Sequence, residues 1–186
     1  GCSASELEVG DECILLTAEQ WQLYHALEGS AELENFTLLI DIVDGDVTTS
    51  ISLKLDGSLL MYEDANETVT VVQANEGCTV YVEAFGTTES SAATCPDQPY
   101  LFFREFTYGM FTYESTVYHL NESSFSLLSA FVDAYDNGSI DDLSLQIADD
   151  LITNMVLYMT ADEQPIQVSF EFIDVNQTVI DVPDAE

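Results

Sequence analysis

Apolar and polar residues alternate through much of this chain. Leu38, Ile40 and Ile42 share one face of a segment. In the next, Val47, Thr49, Ile51, Leu53 and Leu55 line up, with Thr48, Ser50, Ser52 and Lys54 opposite. A period of two is that of a strand with one buried face. Asp44-Gly45 and Asp56-Gly57 punctuate these runs, and Asp-Gly suits the tight turn that matches strand twist. The pattern predicts an antiparallel meander over 36–43, 46–55 and 58–63, continued by 67–74 and 78–85. The last strand follows a turn at Asn75-Glu76-Gly77.

Two segments carry a helical period instead. Thr17-Ala18-Glu19-Gln20 forms a capping box, in which the Thr side chain and the Gln side chain satisfy each other's backbone N–H groups. It predicts a helix over 18–28, carrying Trp21, Leu23, Tyr24 and Leu27 and stopping near Gly29. Phe125, Leu128, Val132 and Tyr135 predict a second helix over 124–136, with Asn137-Gly138 as its stop. Between the meander and this helix, 86–99 reads as an exposed polar loop. Segments 100–107 and 110–118 read as an aromatic-rich hairpin about Tyr108-Gly109. The stretch from 137 to 150 carries no clear period. Strands at 151–160, 166–173 and 175–182 close the chain, with a turn at Asp162-Glu163-Gln164-Pro165. The elements are those of an α+β domain over 17–186, preceded by a tether over 1–16, with no repeat and no linker between two cores.

Charge changes the picture more than composition does. The 186 residues include 35 Asp and Glu against only Lys54 and Arg104, a formal net charge of −33, while 47% of residues are hydrophobic. The chain therefore has the material for a core, and its acidity comes mainly from missing basic residues. Such a field repels phosphate backbones, so nucleic acid is excluded as a partner. It leaves a basic protein partner or divalent cations, or simple solubility in a salty exterior, as readings of the acidic surface. Moderate salt is expected to raise thermal stability by screening self-repulsion, and a stability that stays flat or falls on adding salt contradicts this.

The ends and the cysteines bear on location. Gly1-Cys2-Ser3-Ala4 at the head of a polar stretch reads as the start of a mature lipoprotein, with Cys2 as the lipid anchor and the membrane reached only through it. The other reading pairs Cys2 with Cys13. Cys78 opens a strand and Cys95 closes the polar loop after it, so Cys78–Cys95 is the expected disulfide. Asn35, Asn66, Asn121, Asn137 and Asn176 all sit in N-x-S/T sequons, which fits a secreted glycoprotein as the alternative. Both readings place the protein outside the cell.

Chemistry for catalysis is sparse. His25 and His119 are isolated, there is no C-x-x-C, and neither G-x-S-x-G nor a phosphate-binding glycine loop is present. Asp133 to Ser144 imitates a calcium loop at positions one, five and six, but Tyr135 stands at position three and Ser144 where a bidentate Glu is required. The expectation is a protein that is not an enzyme and that needs no cofactor.

The order of elements carries a resemblance. A helix before Phe36-Thr37-Leu38-Leu39-Ile40-Asp41-Ile42 is followed by the Asp-Gly meander and a late helix. The chain then ends on Pro165-Ile166-Gln167-Val168-Ser169-Phe170-Glu171-Phe172 and Val179-Ile180-Asp181-Val182-Pro183. Together these resemble the LolA/LppX-like envelope lipoproteins, in particular the uncharacterised Gram-positive surface lipoproteins of that type, over about residues 17 to 183. The resemblance implies a strongly curved antiparallel sheet, an open half-barrel, with two helices packed on its concave face around an apolar cavity for lipid. In that arrangement Phe102, Phe106, Phe111, Phe125 and Leu128 are the expected liners of a site for a lipid or other apolar small molecule. The competing expectation is an acidic interaction or adhesion module with a filled core.

Overall fold

A computed structural model describes residues 1–184, so the last two positions of the expected domain lie outside the described residues. The chain opens with a small hairpin, β1 (Glu6–Val9) and β2 (Glu12–Leu15), followed by helix α1 (Ala18–Ala31). A first meander follows: β3 (Asn35–Asp44), β4 (Val47–Asp56), β5 (Leu59–Glu63), β6 (Glu67–Ala74), β7 (Gly77–Ala84) and β8 (Thr87–Ala93). Two 3-10 helices, Pro99–Glu105 and Tyr108–Met110, lead to β9 (Phe111–Glu114) and β10 (Val117–Leu120). A third 3-10 helix, Glu122–Leu128, runs into the one-turn α2 (Ser129–Val132), and β11 (Gly138–Ala148), β12 (Leu151–Ala161) and β13 (Gln164–Ile173) complete the chain.

Strands β3 to β13 form one eleven-stranded sheet in the order β8-β7-β6-β5-β4-β3-β13-β12-β11-β10-β9. Every pairing in it is antiparallel. Two meanders thus meet where the last strand pairs with the first, with Ile40 opposite Phe170 and Ile42 opposite Val168. The sheet stays open and is neither curled nor closed, which replaces the expected half-barrel. One face is covered by α1, the 3-10 helices and α2, and it holds Phe36, Leu38, Ile40, Leu53, Leu143, Leu145, Met155, Leu157, Val168 and Phe170 in the core. The alternate residues of the same strands make the open face.

Local chemistry explains the elements. Gln20 N donates to Thr17 Oγ1 and Thr17 N to Gln20 Oε1, closing the capping box. The helix does not stop at Gly29, because that glycine is a contact surface and not a terminator. A Cβ there would lie 2.5 Å from the Asp150 carbonyl oxygen, so α1 packs on the β11–β12 turn only through a hydrogen atom. Ser30 Oγ, fully buried, accepts from Ile152 N at 2.8 Å beside it. Gly45 and Gly57, each at φ +61, open the two-residue turns of the first meander as the Asp-Gly pairs predict.

Several expectations change. Within residues 1–16, expected as a tether, β1 and β2 pair, and the hairpin contacts α1 through Trp21 Nε1 donating to Ser5 O. Residues 87–93, expected as loop, are the edge strand β8. The aromatic stretch 100–107 is a 3-10 helix begun by Pro99, and the true hairpin is β9–β10 with Ser115 and Thr116 at its tip. The second helix shrinks to α2 after a 3-10 run. The segment after β13 is no strand, because both flanks of β13 are already taken by β3 and β12. It turns at Asp174 and Asn176 and lies across one corner of the open face, where Thr178 Oγ1 meets Thr37 Oγ1 at 2.8 Å.

Candidate functional site

Two places compete as the working site: the interior beneath the aromatic cap and the open sheet face. The cap is built by the Pro99–Glu105 helix. Consecutive Phe102 and Phe103 both point inward from it, 7% and 0% exposed. Phe102 lies 5.3 Å from Phe170, 5.3 Å from Phe131 and 5.6 Å from Phe106, all edge to face. Phe103 makes the same contact with Phe172 at 5.1 Å, and Phe106 with Phe111 at 5.1 Å. Such pairs contribute about 0.5–1.5 kcal/mol each beyond the area they bury.

The expected liners do come together here, but as the filling. Phe102, Phe106 and Leu128 are core residues, and Phe111 and Phe125 pack half-buried against them. What remains apolar and accessible beneath the cap is a recess of about 140 Å³ at Ile42, Tyr100, Phe131, Tyr135, Met159 and Val168. Ligand pockets for small molecules run to about 300–1,000 Å³. Where the lipid cavity was expected, the structure has a packed core with a shallow notch.

The disulfides settle the cysteine alternatives. Cys2 bonds Cys13 and Cys78 bonds Cys95, with Cα atoms 5.5 and 4.9 Å apart. The Cys2 sulfur, which a diacylglyceryl thioether would use, is here bonded to Cys13. Two disulfides are compatible with an extracellular, oxidising location. No helix among the described residues is long and apolar enough to cross a membrane.

A groove of about 290 Å³ opens beside Cys78–Cys95, with Glu34, Gln73, Gln98 and Arg104 on its walls. Arg104 Nη2 donates to Leu33 O at 2.8 Å, and its Nε is buried without a partner. The guanidinium thus ties the end of α1 to the cap. Neither Arg104 nor Lys54 lies within ion-pair distance of a described carboxylate. Tyr62, whose hydroxyl donates to Gln98 Oε1, joins the edge of the cap to the sheet. Burial, then the neighbouring Tyr100, pushes its pKa up to about 12.

The open face is of another kind. Register places Glu171, Leu39, Ser52, Glu63, Thr68 and Glu83 in one row across five strand pairings. Parallel rows hold Ser144, Val156, Ser169, Asp41 and Ser50, and Asp142, Tyr158, Gln167, Val43 and Thr48. Carboxylates thus recur among hydroxyls and scattered apolar side chains, with Lys54 as the face's single cation. Leu39, Val43 and Tyr158 remain exposed at 36%, 38% and 41%.

His119 also stands on this face, where sequence gave it no role. Its Nδ1 lies 3.0 Å from Asp142 Oδ2, and Ser144 is its cross-strand partner. The trio contains the residue types of a hydrolytic triad, but no described hydrogen bond joins Ser144 to His119. Its place is an open strand surface without the enclosed oxyanion site such chemistry requires. Among the described residues no group of three or more His, Cys, Asp or Glu is positioned to hold a metal ion. No family model matches the chain, and no curated protein matches it.

Proposed function

We propose that this is an exported, non-enzymatic interaction module whose open, acidic sheet face docks a basic protein surface. The observation that carries this reading is the contrast between the two faces: a packed aromatic interior on one side and an uncovered array of Asp41, Glu63, Glu83, Asp142 and Glu171 on the other. A net charge of −33 steers a cationic partner toward the molecule at long range. The flat face with Leu39, Val43 and Tyr158 among the carboxylates supplies short-range apolar contact once the charges have oriented it. The carrier reading that follows from the lipoprotein resemblance rests on the notch at Tyr100 and Phe131, which holds only part of an acyl chain.

The test separates face from bulk charge. A lysine-bearing peptide of alternating Lys and Val is titrated into the protein at low salt. Removing four carboxylates of the face (Asp41→Asn, Glu63→Gln, Glu83→Gln, Glu171→Gln) is expected to weaken binding at least about tenfold. Removing four elsewhere (Glu8→Gln, Glu76→Gln, Asp97→Asn, Asp133→Asn) is expected to weaken it by no more than about threefold, through net charge alone. Equal losses in the two variants defeat the assignment to this face.

A further inference from the structure

Five of the chain's seven asparagines stand in sequons, at residues 35, 66, 121, 137 and 176, where the Ser and Thr content predicts roughly one by chance. The fold treats these five differently. Asn35 uses its whole amide as a lock: Nδ2 donates to Asp56 Oδ1 at 3.0 Å and to Thr178 O at 2.9 Å, while Oδ1 accepts from Thr178 N at 2.8 Å. A substituted amide nitrogen keeps one hydrogen and cannot make both donations. Asn121 is half-buried and tied at both ends of its amide, to Thr112 Oγ1 at 2.7 Å and Gly109 O at 3.4 Å.

The other three sit on exposed turns. Asn66 lies in the β5–β6 turn, where Asp64 Oδ1 accepts from the backbone of Asn66 and Glu67 and leaves the Asn66 side chain uncommitted. Asn176, at φ +63, caps the turn after β13 with its backbone N donating to Asn35 O. Asn137, at φ +51, donates from Nδ2 to the exposed Asp162 Oδ1, a solvent-facing bond that one remaining N–H preserves. All three are at strand ends. Asn66 and Asn137 lie in turns outside the rows of the open face, and Asn176 lies in the segment that crosses one corner of it.

We propose that Asn66, Asn137 and Asn176 carry N-linked glycans and that Asn35 does not. The transfer joins each Asn Nδ2 to C1 of a sugar delivered on a lipid-linked phosphate. The N–C1 bond forms as the C1–O bond to phosphate breaks, the lipid phosphate leaves with the electron pair, and the amide proton passes to a base on the transferase. The glycans would shield the turns at Asn66 and Asn137 and the corner of the open face that the segment after β13 already covers, leaving the rest of that face clear. This inference stands independently of what docks on that face.

The test is glycopeptide mapping of the full chain purified from its native host. Sugar on two or more of Asn66, Asn137 and Asn176, with Asn35 bare, is the expected result. Fewer than two occupied, or sugar on Asn35, overturns it. Asn66→Gln, Asn137→Gln and Asn176→Gln should each remove one glycan mass where its own site is occupied, whereas Asn35→Gln should remove none. Should Asn35→Gln fail to fold, the map of the unaltered chain makes the same distinction.

Discussion

The centre of the sheet and its wing are made from the same alternation and stabilised differently. In β3, β11, β12 and β13 the inward residues Ile40, Leu143, Leu157 and Phe170 are at most 1% exposed beneath α1 and the aromatic cap. In β6 and β7 the corresponding Val69, Val80 and Val82 are only half-buried, while Val71 and Cys78 beside the cap stay at 4% and 6% exposure. The wing is instead pinned by Cys78–Cys95, which binds the first residues of β7 to the segment entering the cap. Burial alone holds the centre, and in the wing a covalent tie supplements a thinner core of Leu60, Val71 and Cys78. An antiparallel sheet can extend past its hydrophobic cover only where something else limits fraying.

The largest effect should come from emptying the cap. Phe103→Ala removes a fully buried ring between Phe36 and Phe172 and is expected to cost about 3–5 kcal/mol in denaturant unfolding. A cost below about 1 kcal/mol would mean that the cap is not the keystone of the centre. Replacing both wing cysteines, Cys78→Ser with Cys95→Ser, is expected to cost about 3 kcal/mol by the loop-closure account. Its signature should be regional: amide exchange speeds up in β7 and β8 while β12 and β13 stay protected. Uniform acceleration would erase the distinction between the two regions. Gly29→Ala forces a methyl against the Asp150 carbonyl and is expected to cost about 1–3 kcal/mol, read as a lower thermal midpoint and confined to the α1 side of the sheet.

Base probes both regions at once. Tyr62 in β5, next to the wing, and Tyr118 in β10, on the far side of the centre, have pKa values raised from 10.0 to about 12, chiefly by burial and then by Tyr100 and Tyr113 respectively. A folded pKa above the unfolded one gives stability that is complete below pH 10 and lost as pH rises through 12. Stability is therefore expected to fall across that window. Tyr62→Phe should flatten the part of the fall that amide exchange assigns to the wing side, leaving the part near β10 to Tyr118.

The sequence made the first meander legible because its turns are Asp-Gly and its strands alternate without interruption. Hairpins turned by Ser115-Thr116 and Asp149-Asp150 carry positive φ at both positions without a glycine. That is why β9, β10 and β11 were harder to see. The run Tyr100-Leu101-Phe102-Phe103 has no period of two, and consecutive apolar residues suit a buried helix as well as a strand. The aromatic cluster was legible as a group of residues, but whether it lined a cavity or filled one depends on ring packing that composition does not encode. The pairing of β3 with β13, across almost the whole chain, defines the open face, and no local signal announces it.

The proposed docking places a basic partner on the open face and not beneath the cap. Adjacent residues of one strand point to opposite faces, so methyl-resolved NMR can decide it. On titrating the lysine-bearing peptide, the methyl signals of Leu39, Val43 and Val156 should move, while those of Leu38, Ile40, Ile42 and Val168 hold still. Movement of the inward methyls with the outward ones unmoved would contradict the account and place the ligand in the core.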